Sequence, residues 1–320
     1  MKTTASRAAA RRGAAFQRMV LALLLAVSAQ AAGAGPLRDR LREIRAERQA
    51  SAAPGEANLP SGAQHLGNIA YGSHPAQRFD VYLPARTEAA PVIFVVHGGA
   101  WKWGDKEMGR VVDAKVARWV SRGFILVSTN YRMLPDAAPD AQLQDVARAL
   151  AVAQDKAPSW GGDPQRFVLM GHSAGAHLVA LLGAAPRYTG EPGLRPVIGT
   201  VALDSAAMDV TAIMNHRHLP LYDAPFGKDP VYWQAMSPIQ ALAPGAAPLL
   251  SVCSTRRDDS CLQADLFAAR AGQLGVRAEV LREDLSHGDI NAQLGQPGAY
   301  TSAVERFLGS LDNGIARRLQ

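Results

Sequence analysis

Gly171-His172-Ser173-Ala174-Gly175 sets a serine between an apolar, β-prone run, Phe167 to Met170, and a helix-like one, Ala174 to Leu182. A serine on so sharp a strand-to-helix turn has its hydroxyl pushed out of the sheet, where a substrate can reach it. The flanking glycines suit the bend because side chains there would clash. Ser173 is the candidate nucleophile. A hydroxyl of this kind needs a base, an acid to orient that base, and donors for the oxyanion that forms. Upstream, Val92-Ile93-Phe94-Val95-Val96 runs into His97-Gly98-Gly99-Ala100-Trp101. A glycine pair after a buried strand lets backbone N–H groups face a ligand, and losing one such donor typically costs about 3 kcal/mol of transition-state stabilisation. Gly99, Ala100 and Ala174 are the expected donors; the alternative for residues 97–101 is a structural glycine turn.

The elements that must hold these groups alternate. Apolar runs predict strands over 66–71, 78–83, 91–97, 124–129, 166–170, 197–203, 248–253 and 277–282. Helical periodicity predicts helices over 107–121, 140–155, 174–185, 262–274 and 300–310. The first two strands read as an antiparallel pair. The β-α-β-α rhythm after them implies a mostly parallel, eight-stranded sheet covered by helices on both faces. Ligands bind such sheets outside the carboxyl ends of the strands. Residues 205–247 interrupt the rhythm with several prolines, Tyr222, Phe226, Tyr232, Trp233 and Met236. They read as a small cap over those strand ends, its aromatics either lining a pocket or packing the cap down.

With 320 residues, 48% of them hydrophobic, the chain can bury a large core. Residues 1–31 stand apart: Lys2, Arg7, Arg11, Arg12 and Arg18 flank or precede the apolar run Met19 to Ala29, and Ala29-Gln30-Ala31 fits a small-x-small cleavage site. This is the pattern of a secretory signal peptide, and its apolar run is short for a membrane span. The expected location is the periplasm or the outside of the cell, with no membrane span left after cleavage. Residues 32–62 read as a charged segment and linker, and 63–320 as the folded domain. The formal charge of +6 falls to +1 without the five basic residues of the signal. No basic patch remains to argue for nucleic acid. Cys253 and Cys261, eight positions apart, are the expected disulfide of an exported chain, with two unpaired thiols as the alternative. No histidine or carboxylate pattern completes a metal site around them.

Four ordered motifs carry a resemblance: His97-Gly98-Gly99-x-Trp101, Asn130-Tyr131-Arg132-x-x-Pro135, Gly161-Gly162-Asp163-Pro164 and Gly171-His172-Ser173-Ala174-Gly175. Together they resemble the α/β-hydrolase superfamily, and within it the esterase/lipase branch near the kynurenine formamidase-like and feruloyl-esterase-like carboxylesterases. The resemblance runs from about Leu66 to Leu311. It implies an α/β-hydrolase fold and a Ser-Asp-His triad in that chain order. The implied base is His287 in Leu285-Ser286-His287-Gly288-Asp289, behind the last strand. The implied acid falls in the loop after strand 248–253, where Asp259 is favoured over Asp258 because a bridged Cys261 would hold it more tightly. Asp204, at the end of strand 197–203, is a third candidate, since some members take the acid from that strand. Trp101, beside the oxyanion loop, is the candidate substrate-binding side chain, with packing against the cap as its alternative.

The expected reaction is two-step hydrolysis of a short-chain or aryl carboxylic ester through an acyl-enzyme, with no metal or organic cofactor. The partner is a small-molecule ester, and the oligomeric state is left open. The alternatives are an arylformamidase acting on N-formylkynurenine and a non-catalytic binding protein of the same fold.

Overall fold

In a computed structural model the chain divides into Met1–Ala46 and Glu47–Gln320. The structure describes residues 59–185 and 190–320, with Arg45 and Gln49. All elements named below belong to the second unit. The segment read as a signal peptide and nearly all of the linker lie outside the described residues.

Alternate residues of the central strands bury on opposite faces. In β3 (Ala90–Val96), Val92, Phe94 and Val96 join one core while Ile93 and Val95 join another. In β5 (Gly162–His172), Phe167 and Leu169 face the first core, Val168 and Met170 the second. Each core needs a helical lid. Leu143, Val146 and Leu150 of α2 (Pro139–Lys156) and Leu178 and Leu181 of α3 (Ala174–Ala184) cover the first. Val111, Val116 and Trp119 of α1 (Gly109–Trp119) and Val304, Phe307 and Leu308 of α10 (Ala299–Leu311) cover the second. The apolar runs are continuous because strands buried on both faces have no solvent side.

The other strands are β1 (Gln64–Ala70), β2 (Arg78–Leu83), β4 (Ile125–Thr129), β6 (Gly199–Leu203), β7 (Leu249–Ser254) and β8 (Ala278–Glu283). They form one eight-stranded sheet in the order β1-β2-β4-β3-β5-β6-β7-β8. β1 with β2 and β2 with β4 are antiparallel; every later pair is parallel. Every predicted strand is present, and β5 reaches back to Gly162, which pairs with Ala90. The five predicted helices are present within two residues at each end, the fourth being α8 (Ser260–Gln273).

Between β6 and β7 lie four short helices: α4 (Val210–Met214), α5 (Asp223–Phe226), α6 (Pro230–Ala235) and α7 (Pro238–Ala241). Proline at the first turn of α6 and α7 presets their φ. Asp209 and Asp229 cap α4 and α6 through their side chains. The aromatics of this cap are mostly packing groups. Tyr222, Phe226 and Met236 are buried, and Tyr232 Oη donates to Asp140 Oδ1 of α2 at 2.9 Å. Two more helices, α9 (His287–Gln293) and α11 (Asn313–Leu319), were not anticipated from the pattern. Each is seven residues long, too short for helical periodicity to stand out.

Candidate active site

Ser173 sits between β5 and α3 with φ 55° and ψ −118°, a backbone conformation unusual for a residue with a Cβ. Its N–H donates to Leu203 O of β6 at 2.9 Å, and its carbonyl accepts from His177 N at 3.1 Å, starting α3. The turn leaves no room at Gly175, where a Cβ would stand 2.2 Å from Val96 O and 2.4 Å from His97 O. The glycine loop after β3 lies directly against the elbow, since a Cβ on Gly98 would stand 2.9 Å from Ser173 Cβ. Gly99, Ala100 and Trp101 all have positive φ, which turns the chain abruptly after β3. None of the N–H groups of Gly99, Ala100 and Ala174 is taken up by another described residue.

His287 opens α9, whose first turn is capped by Ser286 Oγ accepting from Asp289 N at 3.2 Å. It is 8% exposed. The buried Lys115 of α1 anchors this helix, its Nζ donating to Asn291 O at 2.7 Å and to Asn291 Oδ1 at 2.9 Å. His172 supports the base from β5: its ring lies 4.4 Å from the His287 ring, and its Nε2–H donates to His287 O at 2.9 Å. Burial, then the neighbouring His287, hold His172 well below the usual imidazole range, so it remains neutral.

The carboxylate that reaches His287 belongs to Asp204, not to Asp259. Asp204 follows β6, is 0% exposed, and places Oδ2 2.5 Å from His287 Nδ1. Its Oδ1 accepts from Ser254 N at 2.8 Å and from Ser260 Oγ. Burial alone would raise this carboxyl, but Arg257, then His287 and Ser260, outweigh burial and hold it well below the usual carboxylate range. Asp259 precedes α8, is 38% exposed in its side chain, and pairs at 3.5 Å with Arg257 Nη2. Asp258 is exposed. Cys253 and Cys261 are bridged in the structure, and the turn between them aims Arg257 and Ser260 inward rather than either aspartate. That direction is set inside the turn, which the bridge argument for Asp259 did not consider.

Trp101 is also placed differently from the expectation. Its indole is 3% exposed and packs on Phe226 at 4.9 Å and His177 at 5.4 Å. It joins the cap to the oxyanion loop rather than presenting a face to substrate. Trp101 Nε1 donates to His177 Nδ1 at 3.2 Å, and His177 Nε2–H donates to Met236 O at 2.7 Å. One neutral imidazole therefore ties α3 to both the glycine loop after β3 and the cap. A cleft beside Ser173 is lined by Gly98, Gly99, Arg110, His172, Gly288 and Asn291, among others. Among the described residues no group of three or more His, Cys, Asp or Glu could hold a metal ion.

The tether has a measurable signature. Burial brings His177 from the ordinary imidazole value to about 4. The unfolded chain therefore binds a proton between about pH 6.5 and 4 that the folded chain refuses, and stability falls as pH falls through that window. The contribution of His177 amounts to about 3 kcal/mol. Urea unfolding of His177→Gln should show a shallower loss of stability across this range than the parent protein. His172 and His97, both held low by burial, act in the same direction and leave a residual slope. An unchanged slope in the variant would contradict the assignment.

Known proteins share this arrangement of elements. The BD-FAE family model matches residues 79–217. The probable isoprenylcysteine alpha-carbonyl methylesterase ICMEL1 of Oryza sativa subsp. japonica is 36% identical over 127 residues, 39% of this chain and 29% of that protein. Esterase LipC of Mycobacterium tuberculosis is 28% identical over 209 residues, 60% of this chain and 51% of LipC. The chain thus spans about half the length of LipC and under a third of the methylesterase. Among solved structures, a truncated form of a carbohydrate esterase from gut microbiota superposes with a TM-score of 0.69 at 20% identity, covering 81% of this chain and 98% of that one. The chain has the α/β-hydrolase fold, and its residues 79–217 match the BD-FAE family model.

Proposed function

We propose that the chain is a serine carboxylic ester hydrolase acting on short-chain or aryl esters through a Ser173–His287–Asp204 triad. The observation that carries this reading is the strained serine elbow in the same site as a histidine whose Nδ1 lies on a fully buried carboxylate. With Nδ1–H committed to Asp204, His287 Nε2 is the nitrogen that takes the proton. It takes that of Ser173 as Oγ bonds to the ester carbonyl carbon. The carbonyl electrons move to oxygen, which rests on the N–H groups of Gly99, Ala100 and Ala174. The C–O bond then breaks, and the departing alkoxide takes the proton from Nε2 as alcohol. Water, deprotonated by the same nitrogen, adds to the acyl carbon, and collapse frees Ser173 and the carboxylic acid. The names of the relatives support an ester substrate, and export of the chain is consistent with its bridged cysteines.

A fluorophosphonate probe and side-by-side turnover test the proposal. Labelling should map to Ser173, and 4-nitrophenyl acetate and butyrate should be cleaved in preference to N-formylkynurenine. Absence of labelling in folded protein would leave a binding protein. Strong preference for the formamide would make the chain an arylformamidase.

A further inference from the structure

The loop after β7, where the resemblance places an acid, delivers a cation instead. Arg257 Nη1 lies 2.6 Å from Asp204 Oδ2, 3.1 Å from Asp204 O and 2.7 Å from His287 Nδ1. An imidazole Nδ1–H and a guanidinium both donate, so Oδ2 is their shared acceptor. The Arg257 side chain is 8% exposed, and a charge so poorly hydrated acts on its neighbours with little screening. Its loop is pinned at both ends, by the Cys253–Cys261 bridge and by Ser260 Oγ on Asp204. A surface ion pair has neither feature.

We propose that Arg257 is a positioning residue of the triad, fixing the Asp204 carboxylate against His287 and extending turnover toward acid pH. This rests on the triad reading above. Two effects of the guanidinium share one sign. It keeps Asp204 ionised, and it sets a positive charge 2.7 Å from His287 Nδ1. Removing it moves the acid limb of the rate profile to higher pH on both counts. The other groups around the pair differ in reach. His172 from β5 is neutral. Lys115 of α1 is spent on Asn291, and Arg110 of the same helix reaches Gly288. Tyr300 of α10, raised by burial, is uncharged, and its Oη donates to Ile290 O. Asp289 on α9 accepts from Ser286. Tyr222 of the cap interacts electrostatically with Arg257. Asp259, paired with Arg257, offsets part of its charge.

The test is the pH dependence of kcat/KM for 4-nitrophenyl acetate in the full chain. In Arg257→Gln the acid limb should move up by about one pH unit, while Arg257→Lys, which keeps the charge, should hold it within a few tenths. Asp259→Asn alters an exposed position and removes the counter-charge, so it should move the limb the other way, to lower pH. A uniform fall in rate with the limb unmoved in Arg257→Gln would reduce Arg257 to a structural role and overturn the proposal. If that variant does not fold, an upward or absent shift in Asp259→Asn overturns it instead. Asp204→Asn separates the two readings. If it keeps full turnover, the triad reading fails; if it is inactive while the Arg257→Gln limb stays in place, only this inference fails.

Discussion

Asp204→Asn should lower kcat for a short 4-nitrophenyl ester by about 10⁴-fold, equivalent to about 5.5 kcal/mol of barrier, with little change in fold. The size follows from tautomer control. Asp204 Oδ2 accepts from His287 Nδ1, which leaves the lone pair on Nε2 for the proposed proton transfer from Ser173. An asparagine amide turned to His287 donates, and the ring answers by placing its hydrogen on Nε2, where it cannot accept the serine proton. Ser254 N retains an acceptor on the remaining carbonyl oxygen, so the backbone around residue 204 should persist. Asp259→Ala and Asp258→Ala should stay within a few-fold of the parent, since Asp259 pairs with Arg257 and Asp258 is exposed. Circular dichroism alongside steady-state kinetics checks both halves. A large loss in Asp259→Ala with a small one in Asp204→Asn would reverse the assignment.

Gly175→Ala should be a severely damaging single-methyl change at the site. The new Cβ would meet Val96 O at 2.2 Å and His97 O at 2.4 Å, and both are backbone atoms of the strand end and its following turn. Side chains can rotate away from an intruding methyl; a carbonyl at the end of a central strand cannot. The expected cost is about 3 kcal/mol or more, which lowers Tm by roughly 6–12 °C in a domain of this size. Activity should fall further than stability explains, because any relief of the clash separates Ser173 from Gly98 and Gly99. Gly272→Ala, at a helical glycine whose added Cβ meets nothing within 4 Å, is the control and should be neutral or slightly stabilising. A Gly175→Ala protein with parental Tm and kcat would show that the elbow is looser than the contacts require.

Much of this was legible before the structure, for identifiable reasons. Strands buried on both faces, such as Val92 to Val96, leave an unbroken apolar run, and glycines around Ser173 mark where the backbone has no space. The helices that cover the cores repeat their apolar residues on one face. The acid was harder, because Asp204 and His287 meet across 83 positions of chain and the meeting depends on which strand ends lie side by side. β6, β7 and β8 are consecutive neighbours, so aspartates after either β6 or β7 start near the base. Only the direction of the turn after Cys253 decides between them, and apolar patterning says nothing about a polar turn. Two signals were present but unused. Ser286-x-x-Asp289 is a helix-start pattern that announces α9, and the paired arginines before Asp258 put positive charge where an acid was sought. The tether made by His177 has no local sequence signal, since its two partners lie 76 and 59 positions away.

The cap occupies residues 204–248, between two strands that pair directly with each other, Thr200 to Leu203 beside Leu249 to Val252. The sheet closes over the interruption whatever its length, and the entropy of closing such a loop grows only slowly as it lengthens. The groups proposed for bond breaking stand on strand ends that the sheet holds in place, whereas the cap beyond Asp204 is assembled from short helical pieces. Mutation can therefore rewrite the roof of the site while the reactive centre is inherited intact. That separation lets one scaffold diversify over many esters, and the evolutionary record of substrate choice in this chain should be sought in residues 210–242 rather than around the serine.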